Sequence, residues 1–210
     1  MDPMTQESPM GTPAATQILA LDVDSTVWDL AAWVCDAVLD VTGETLDPES
    51  CTTWTHVLDL YGEEATMEVY TRALSPERVR EREPYPGSAK VLRGLRNKGI
   101  SLHFVTHNWD PEAMTPHLEP WLEEHFGTGI GLTVTTEDKL GILDSLGAFG
   151  IVDDRPDTIS RVADAGLWAA TMIQPWNREL VKDHPKIHGF THWREVPDLL
   201  PPLPNGSGGG

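Results

Sequence analysis

The stretch QILALDVDSTVW, residues 17–28, decides how the rest of the chain is read. Its apolar run Ile18-Leu19-Ala20-Leu21 is too short for a helix and lacks a 3.6-residue rhythm, so it reads as a buried strand. Asp22 and Asp24 follow at its C-terminal end, where open α/β sheets bind ligands. Val23, between them, points to the opposite face. Two neighbouring carboxylates repel and resist desolvation unless something positive comes between them. A bound divalent cation is the simplest answer. The plain alternative is a strand-end turn in which Asp and Ser satisfy backbone groups.

Outward from this strand, Leu30, Trp33, Val34, Ala37, Val38 and Val41 fall at helical spacing, and residues 51–82 are mainly helical in pattern. Pro84 and Pro86 mark a boundary, and a helix from about Ser88 to Asn97 ends at Gly99. Strand and helix patterns then alternate. ISLHFVT, GLTVT, FGIVDD and LWAATMI read as strands. PEAMTPHLEPWLEEHF reads as a helix that Pro116 and Pro120 should bend or interrupt. HGFTHWREVPDLL reads as a short strand or turn followed by a helix. Alternating units imply an α/β fold with a parallel sheet covered on both faces. The expected division is a core of residues 17–27 and 85–203 with a helical cap, 28–84, inserted after the first strand. Residues 1–16 read as a disordered tail, and 204–210 as a flexible linker.

A formal charge of −18 disfavours binding to a nucleic-acid polymer or an anionic membrane. No apolar run approaches the roughly 20 residues of a membrane span, and the N-terminus lacks the apolar core of a signal peptide. Cys35 and Cys51 read as reduced core thiols, since two cysteines make no disulfide scaffold. The expected location is cytoplasmic, and a homodimer is compatible with the sequence.

Four strand ends carry polar groups: Asp22, Asp24, Ser25 and Thr26; Thr106, His107 and Asn108; Lys139 after the third strand; and Asp153 with Asp154. In a parallel sheet these ends share one edge. Together they support phosphoryl chemistry. One Asp attacks phosphorus, a second protonates the leaving oxygen, Mg²⁺ bridges carboxylates and phosphate, and Thr with Lys holds the remaining oxygens.

DVDST, the Thr of FVTHN, Lys139 and VDD resemble the four motifs of the haloacid dehalogenase-like (HAD-like) phosphohydrolases. The resemblance spans roughly residues 17–172. It implies a Rossmann-like core, Mg²⁺ dependence and an aspartyl-phosphate intermediate. It makes Asp22 the nucleophile, Asp24 the general acid/base and Thr106 a phosphoryl ligand. Lys139 would neutralise charge on the nucleophile and phosphate. The metal would be held by the Asp22 carboxylate, the Asp24 backbone carbonyl and Asp154, with Asp153 close behind or trading roles with it. EPYPGS, TTEDK, VDDRPDT, WNREL and HWREVPDLL are similar to segments of the 5'(3')-deoxyribonucleotidases. That group usually has glycine and an aliphatic residue where this chain has Ser25 and Thr26. In this respect DVDST is more similar to phosphoserine phosphatases, and DxDxTxW to small capless magnesium-dependent phosphatases.

The expected activity is therefore phosphomonoester hydrolysis, with a nucleoside or deoxynucleoside 5'-monophosphate as the small-molecule partner. The alternatives are the same chemistry on a sugar phosphate, an amino-acid phosphate or a biosynthetic intermediate, and an inactive ligand-binding relative. Trp28 and His107 are candidate substrate contacts, Trp28 as a base-stacking surface at the mouth of the site. The backbone N–H groups of His107 and Asn108 are candidate phosphate ligands, and Trp109 could line the opening. Trp33, Trp54, Tyr61 and Tyr70 read mostly as cap core. Arg155 reads as an ion-pair partner, Asp157 as metal support or a helix cap, and His184, His188 and His192 as surface residues.

Overall fold

A computed structural model describes residues 17–202, so both expected tails lie outside the described residues. The strands are β1 (Gln17–Leu21), β2 (Ile100–His107), β3 (Gly131–Thr135), β4 (Ala148–Val152), β5 (Trp168–Met172) and β6 (Ile187–Phe190). The helices are α1 (Leu30–Thr42), α2 (His56–Ala73), α3 (Ser88–Asn97), α4 (Pro111–Phe126), α5 (Lys139–Leu146), α6 (Pro156–Asp164), α7 (Arg178–Asp183) and α8 (Val196–Leu199). The strands form one parallel sheet in the order β3-β2-β1-β4-β5-β6. The opening strand is therefore interior, flanked by β2 and β4, so the tips of all three meet.

Alternation along β1 builds the layers. Leu19 and Leu21 join a cluster with Phe104, Leu92, Leu118 and Trp193 on one face of the sheet. Ala20 faces the other way and packs with Val105, Leu143, Ile151, Ile159 and Val162. Helices α3 and α4 cover the first face, and α5 and α6 the second. Fully burying each large apolar side chain contributes about 1.5–3 kcal/mol, which makes β1 a rigid base for the loop at its C-terminal end.

The segment between β1 and β2 carries the cap. Helices α1 and α2 pack on each other, whereas α3 packs on β2 and α4. The apolar stripe of α1 buries Leu30, Val34, Ala37 and Val38. Asp29 caps its first turn by accepting from the Ala32 N–H at 3.1 Å. Helix α2 is broken at Gly62, where φ is 76° and ψ 176°, a conformation open to glycine and little else. The prolines of α4 do not interrupt it. Pro116 and Pro120 lie one turn apart on the exposed side, so the carbonyls they leave without an N–H face water.

Candidate active site

The loop after β1 brings the first two carboxylates into place. The Asp22 N–H donates to the Val152 carbonyl at 2.8 Å, extending the ladder with β4 by one residue. The chain then winds around the Val23 carbonyl, which accepts from Val27 N–H at 2.9 Å. This winding puts Ser25 at φ 51°, a left-handed conformation that is unusual outside glycine. The glycine common here in the deoxyribonucleotidases suits that geometry; in this chain a buried serine takes it. Asp24 emerges with its side chain 19% exposed, and Trp28 Nε1 donates to its Oδ1 at 2.7 Å.

Lys139 opens α5, directly after the N-cap Asp138, and its side chain is buried. Its Nζ lies 2.7 Å from Asp22 Oδ1 and 2.8 Å from Asp153 Oδ2. The other oxygen of Asp153 accepts the Arg155 N–H at 2.8 Å, so both are engaged. Asp154 is different. It is buried, and neither carboxylate oxygen has a hydrogen-bond partner among the described residues. Its backbone is pinned instead: its carbonyl accepts from Asn177 Nδ2 at 3.0 Å and from Trp176 Nε1 at 3.3 Å. Asp22, Asp153 and Asp154 each bring a carboxylate oxygen within 4.8 Å of the others.

This concentration of charge shifts every group in it. Burial raises the Asp22 carboxyl above the ordinary range, and the Asp24 charge adds to that, against the pull of Lys139. Burial likewise raises Asp153 and Asp24. Asp154 rises furthest, from burial and then from the charges of Asp22 and Asp153. Burial alone would favour neutral Lys139, but Asp153 and Asp22 outweigh it and raise its pKa. One lysine facing three buried carboxylates leaves negative charge uncompensated. Two orphaned oxygens on Asp154 and an all-oxygen donor set fit a hard divalent cation.

Thr106 ends the inner part of β2, buried, with a hydroxyl that has no partner among the described residues. His107 lines the same cavity, but its Nε2 meets the Glu137 carbonyl at 2.6 Å, and burial lowers its pKa. The Asn108 N–H, a candidate phosphate ligand, already donates to the Thr135 carbonyl at 3.0 Å. Trp28 is not at the mouth of the site. It is 2% exposed, and its ring packs edge-to-face with Trp121 (centroids 4.7 Å apart) and under the Arg82 guanidinium (4.1 Å), which leaves it closed to a ligand. Its indole is drawn inward by an apolar cluster formed from distant segments. Trp109 is exposed and does not line the cavity. Arg155 pairs with Asp157 at 2.7 Å, as expected of it.

A cavity of about 360 Å³ rises from Asp22, Asp24, Thr106 and Lys139 into the cap. Its walls come from α1 and α2 and from the loops around Cys51 and Trp176. Trp54, expected in the cap core, instead stands half-exposed on this wall, edge-on to Trp176 at 6.1 Å. Tyr70 also lines it, with its hydroxyl pKa raised by burial. Both thiols are free and border the cavity; burial lifts Cys35 to about 11, keeping it protonated.

A parallel α/β sheet whose adjacent strand tips gather an Asp-x-Asp loop, a threonine, a buried lysine and paired aspartates defines a HAD-like hydrolase. The chain matches the family model described as "5' nucleotidase, deoxy (Pyrimidine), cytosolic type C protein" over residues 16–202, and it belongs to that family of phosphoric monoester hydrolases. No curated protein matches. Solved structures share the fold at low identity. A predicted phosphoglycolate phosphatase from Haemophilus somnus 129PT has 16% identity and TM-score 0.61, covering 90% of this chain and 99% of that one. A putative phosphatase from Clostridium difficile has 16% identity and TM-score 0.62, covering 88% and 98%. A putative haloacid dehalogenase-like hydrolase from Bacteroides fragilis has 15% identity and TM-score 0.63, covering 86% and 99%.

Proposed function

We propose that this chain is a cytoplasmic, Mg²⁺-dependent phosphatase of nucleoside or deoxynucleoside 5'-monophosphates, working through an aspartyl phosphate on Asp22. The observation that carries the substrate class is the cavity wall. Above its polar floor, the lining is apolar and aromatic, with the hydroxyls of Thr53, Thr55 and Thr66, and Arg155 is its one formally charged residue among those described. Such a wall suits a neutral aromatic base on a sugar. An amino-acid phosphate would bring an ammonium for which this wall offers no carboxylate, at a cost. A hexose phosphate would bring hydroxyls to a surface with few polar partners.

Asp22 attacks phosphorus in line, and the bond from phosphorus to the 5'-oxygen breaks. Asp24, whose carboxyl burial raises above the ordinary range, gives its proton to the departing oxygen. It then takes one from the water that hydrolyses the acyl phosphate. Lys139 offsets charge on Asp22 and on the phosphoryl group, and the free hydroxyl of Thr106 donates to a phosphoryl oxygen. The Asp22 and Asp154 carboxylates and the Asp24 backbone carbonyl would hold Mg²⁺, with Asp153 kept beside them by Lys139. When bound, the ion draws charge from the phosphoryl oxygens and lets a dianionic ester approach a carboxylate. The cap excludes bulk water from these steps.

Phosphate release from a panel of phosphomonoesters, with Mg²⁺ and with EDTA, tests the reading. Nucleoside monophosphates should exceed hexose phosphates and phosphoserine in kcat/KM by about tenfold or more, and EDTA should abolish release. Equal turnover of a sugar phosphate would overturn the substrate class. Metal binding has its own readout. At about 100 times its Kd, Mg²⁺ adds about 2.7 kcal/mol to stability, or roughly 5–10 °C in Tm. Asp154→Asn should lose that shift while melting no lower than the metal-free parent, because it removes one of three mutually repelling buried charges. A full Mg²⁺ shift in this variant would exclude Asp154 as a ligand.

A further inference from the structure

We propose that Arg82, acting with Trp28, is a positioning residue that fixes which oxygen of Asp24 delivers the proton; this rests on the phosphomonoesterase reading. Arg82 lies in the strand-like return from cap to core, where Tyr85 N–H donates to the Val27 carbonyl at 2.7 Å and Trp28 bridges to Pro84. Its neighbours Arg80, Glu81 and Glu83 are exposed, but its own side chain is completely buried. The guanidinium lies 4.1 Å from the Trp28 ring centroid and 5.4 Å from that of Trp33. Nη2 donates to the Ala73 carbonyl. Trp121 Nε1 donates to the Arg82 carbonyl at 2.8 Å, so backbone and side chain are both fixed.

Nη1 stands 3.6 Å from Asp24 Oδ1, and neither Nη1 nor Nε has a hydrogen-bond partner among the described residues. A buried cation with unmet donors is costly, and a well-packed apolar side chain of similar size would fill the space at less cost. Packing therefore does not account for this arginine. What it does is hold positive charge against one oxygen of Asp24, the same oxygen that takes the Trp28 N–H at 2.7 Å. Oδ1 is thereby kept as the acceptor, and Oδ2 is left to carry the proton to the leaving group. Rotation of the carboxyl would lose both contacts, so the two side chains also fix its plane. Neither needs to touch substrate.

Leaving-group chemistry separates this role from a structural one. A nucleoside 5'-monophosphate departs as an alkoxide that needs the proton, whereas p-nitrophenyl phosphate leaves well without it. Trp28→Phe keeps the ring and removes the N–H. It should lower kcat/KM about tenfold on the nucleotide and less than about threefold on the nitrophenyl ester. Arg82→Met should do the same, and in an Asp24→Asn background it should change nucleotide kcat/KM by less than about twofold. If Arg82→Met does not fold, Arg82→Gln, which removes the charge but keeps a donor for the Ala73 carbonyl, carries the same comparison. Equal losses on both esters, or additive losses in the Asp24→Asn background, would overturn the proposal. If the unsubstituted enzyme releases no phosphate from either ester, the phosphomonoesterase reading fails instead.

Discussion

Asp22→Asn should release phosphate at least about 10⁴-fold more slowly than the parent, with the fold intact. The substitution is nearly isosteric and stays within reach of Lys139, so circular dichroism and the melting transition should remain those of a folded protein. An amide has no anionic oxygen to attack phosphorus, and the remaining groups only bind and polarise the ester. The loss should fall on kcat, with KM for the nucleotide changed little, because Thr106, Lys139 and the cavity wall still hold the phosphate and its leaving group. Single-turnover phosphate release measures this directly. Phosphate release near the parental rate would assign the attack to another group.

Lys139→Met should be the costliest change for the fold. Among the described residues, Lys139 is the single side-chain cation in contact with Asp22 and Asp153, and all three side chains are buried. Removing one member of a buried ion pair while its partners remain costs about 3–5 kcal/mol. The loss should depend on pH, and its sign follows from the direction of the shifts. Asp22, Asp153 and Asp154 already have carboxyl pKa values raised by burial, and without Lys139 the first two rise further. Groups with raised carboxyl pKa values contribute stability that is fully present below the unfolded value of about 4 and is lost as pH rises through the folded value. The variant should therefore lie closest to the parent near pH 5 and furthest from it near pH 8. Urea unfolding at the two pH values checks this. A deficit that grew toward acid would mean that the carboxylates are not what Lys139 neutralises.

The strand ends were legible in the sequence because their chemistry is local. Asp22 and Asp24 follow four apolar residues, Thr106 closes another apolar run, and Asp153 and Asp154 close a third. A parallel sheet brings such ends together whatever lies between them. That Asp153 is engaged while Asp154 is left without a partner was not legible, since it depends on the direction from which Lys139 and the Arg155 N–H arrive. The cap is the least legible part of the sequence. Trp28 and Trp54 are both tryptophans beside helices, yet one is sealed against Trp121 and the other stands on the cavity wall. Helical spacing gives the apolar stripe of α1 but not which neighbour covers it. Arg82 was invisible for a related reason. In the run Arg80-Glu81-Arg82-Glu83 it is one more charge, and only the pairing of this segment with the Val27–Trp28 loop turns it inward. Asn177, whose Nδ2 lies within hydrogen-bond distance of three oxygens, the Asp154 carbonyl among them, gave no signal beyond the resemblance of WNREL to a family segment.

The indoles of Trp54 and Trp176 meet across the seam between the two halves of the molecule, 6.1 Å apart. Parting the halves would hydrate at least one of these chromophores, and its emission would move to longer wavelength. Any opening of that seam would therefore register in the protein's own fluorescence, without an attached dye.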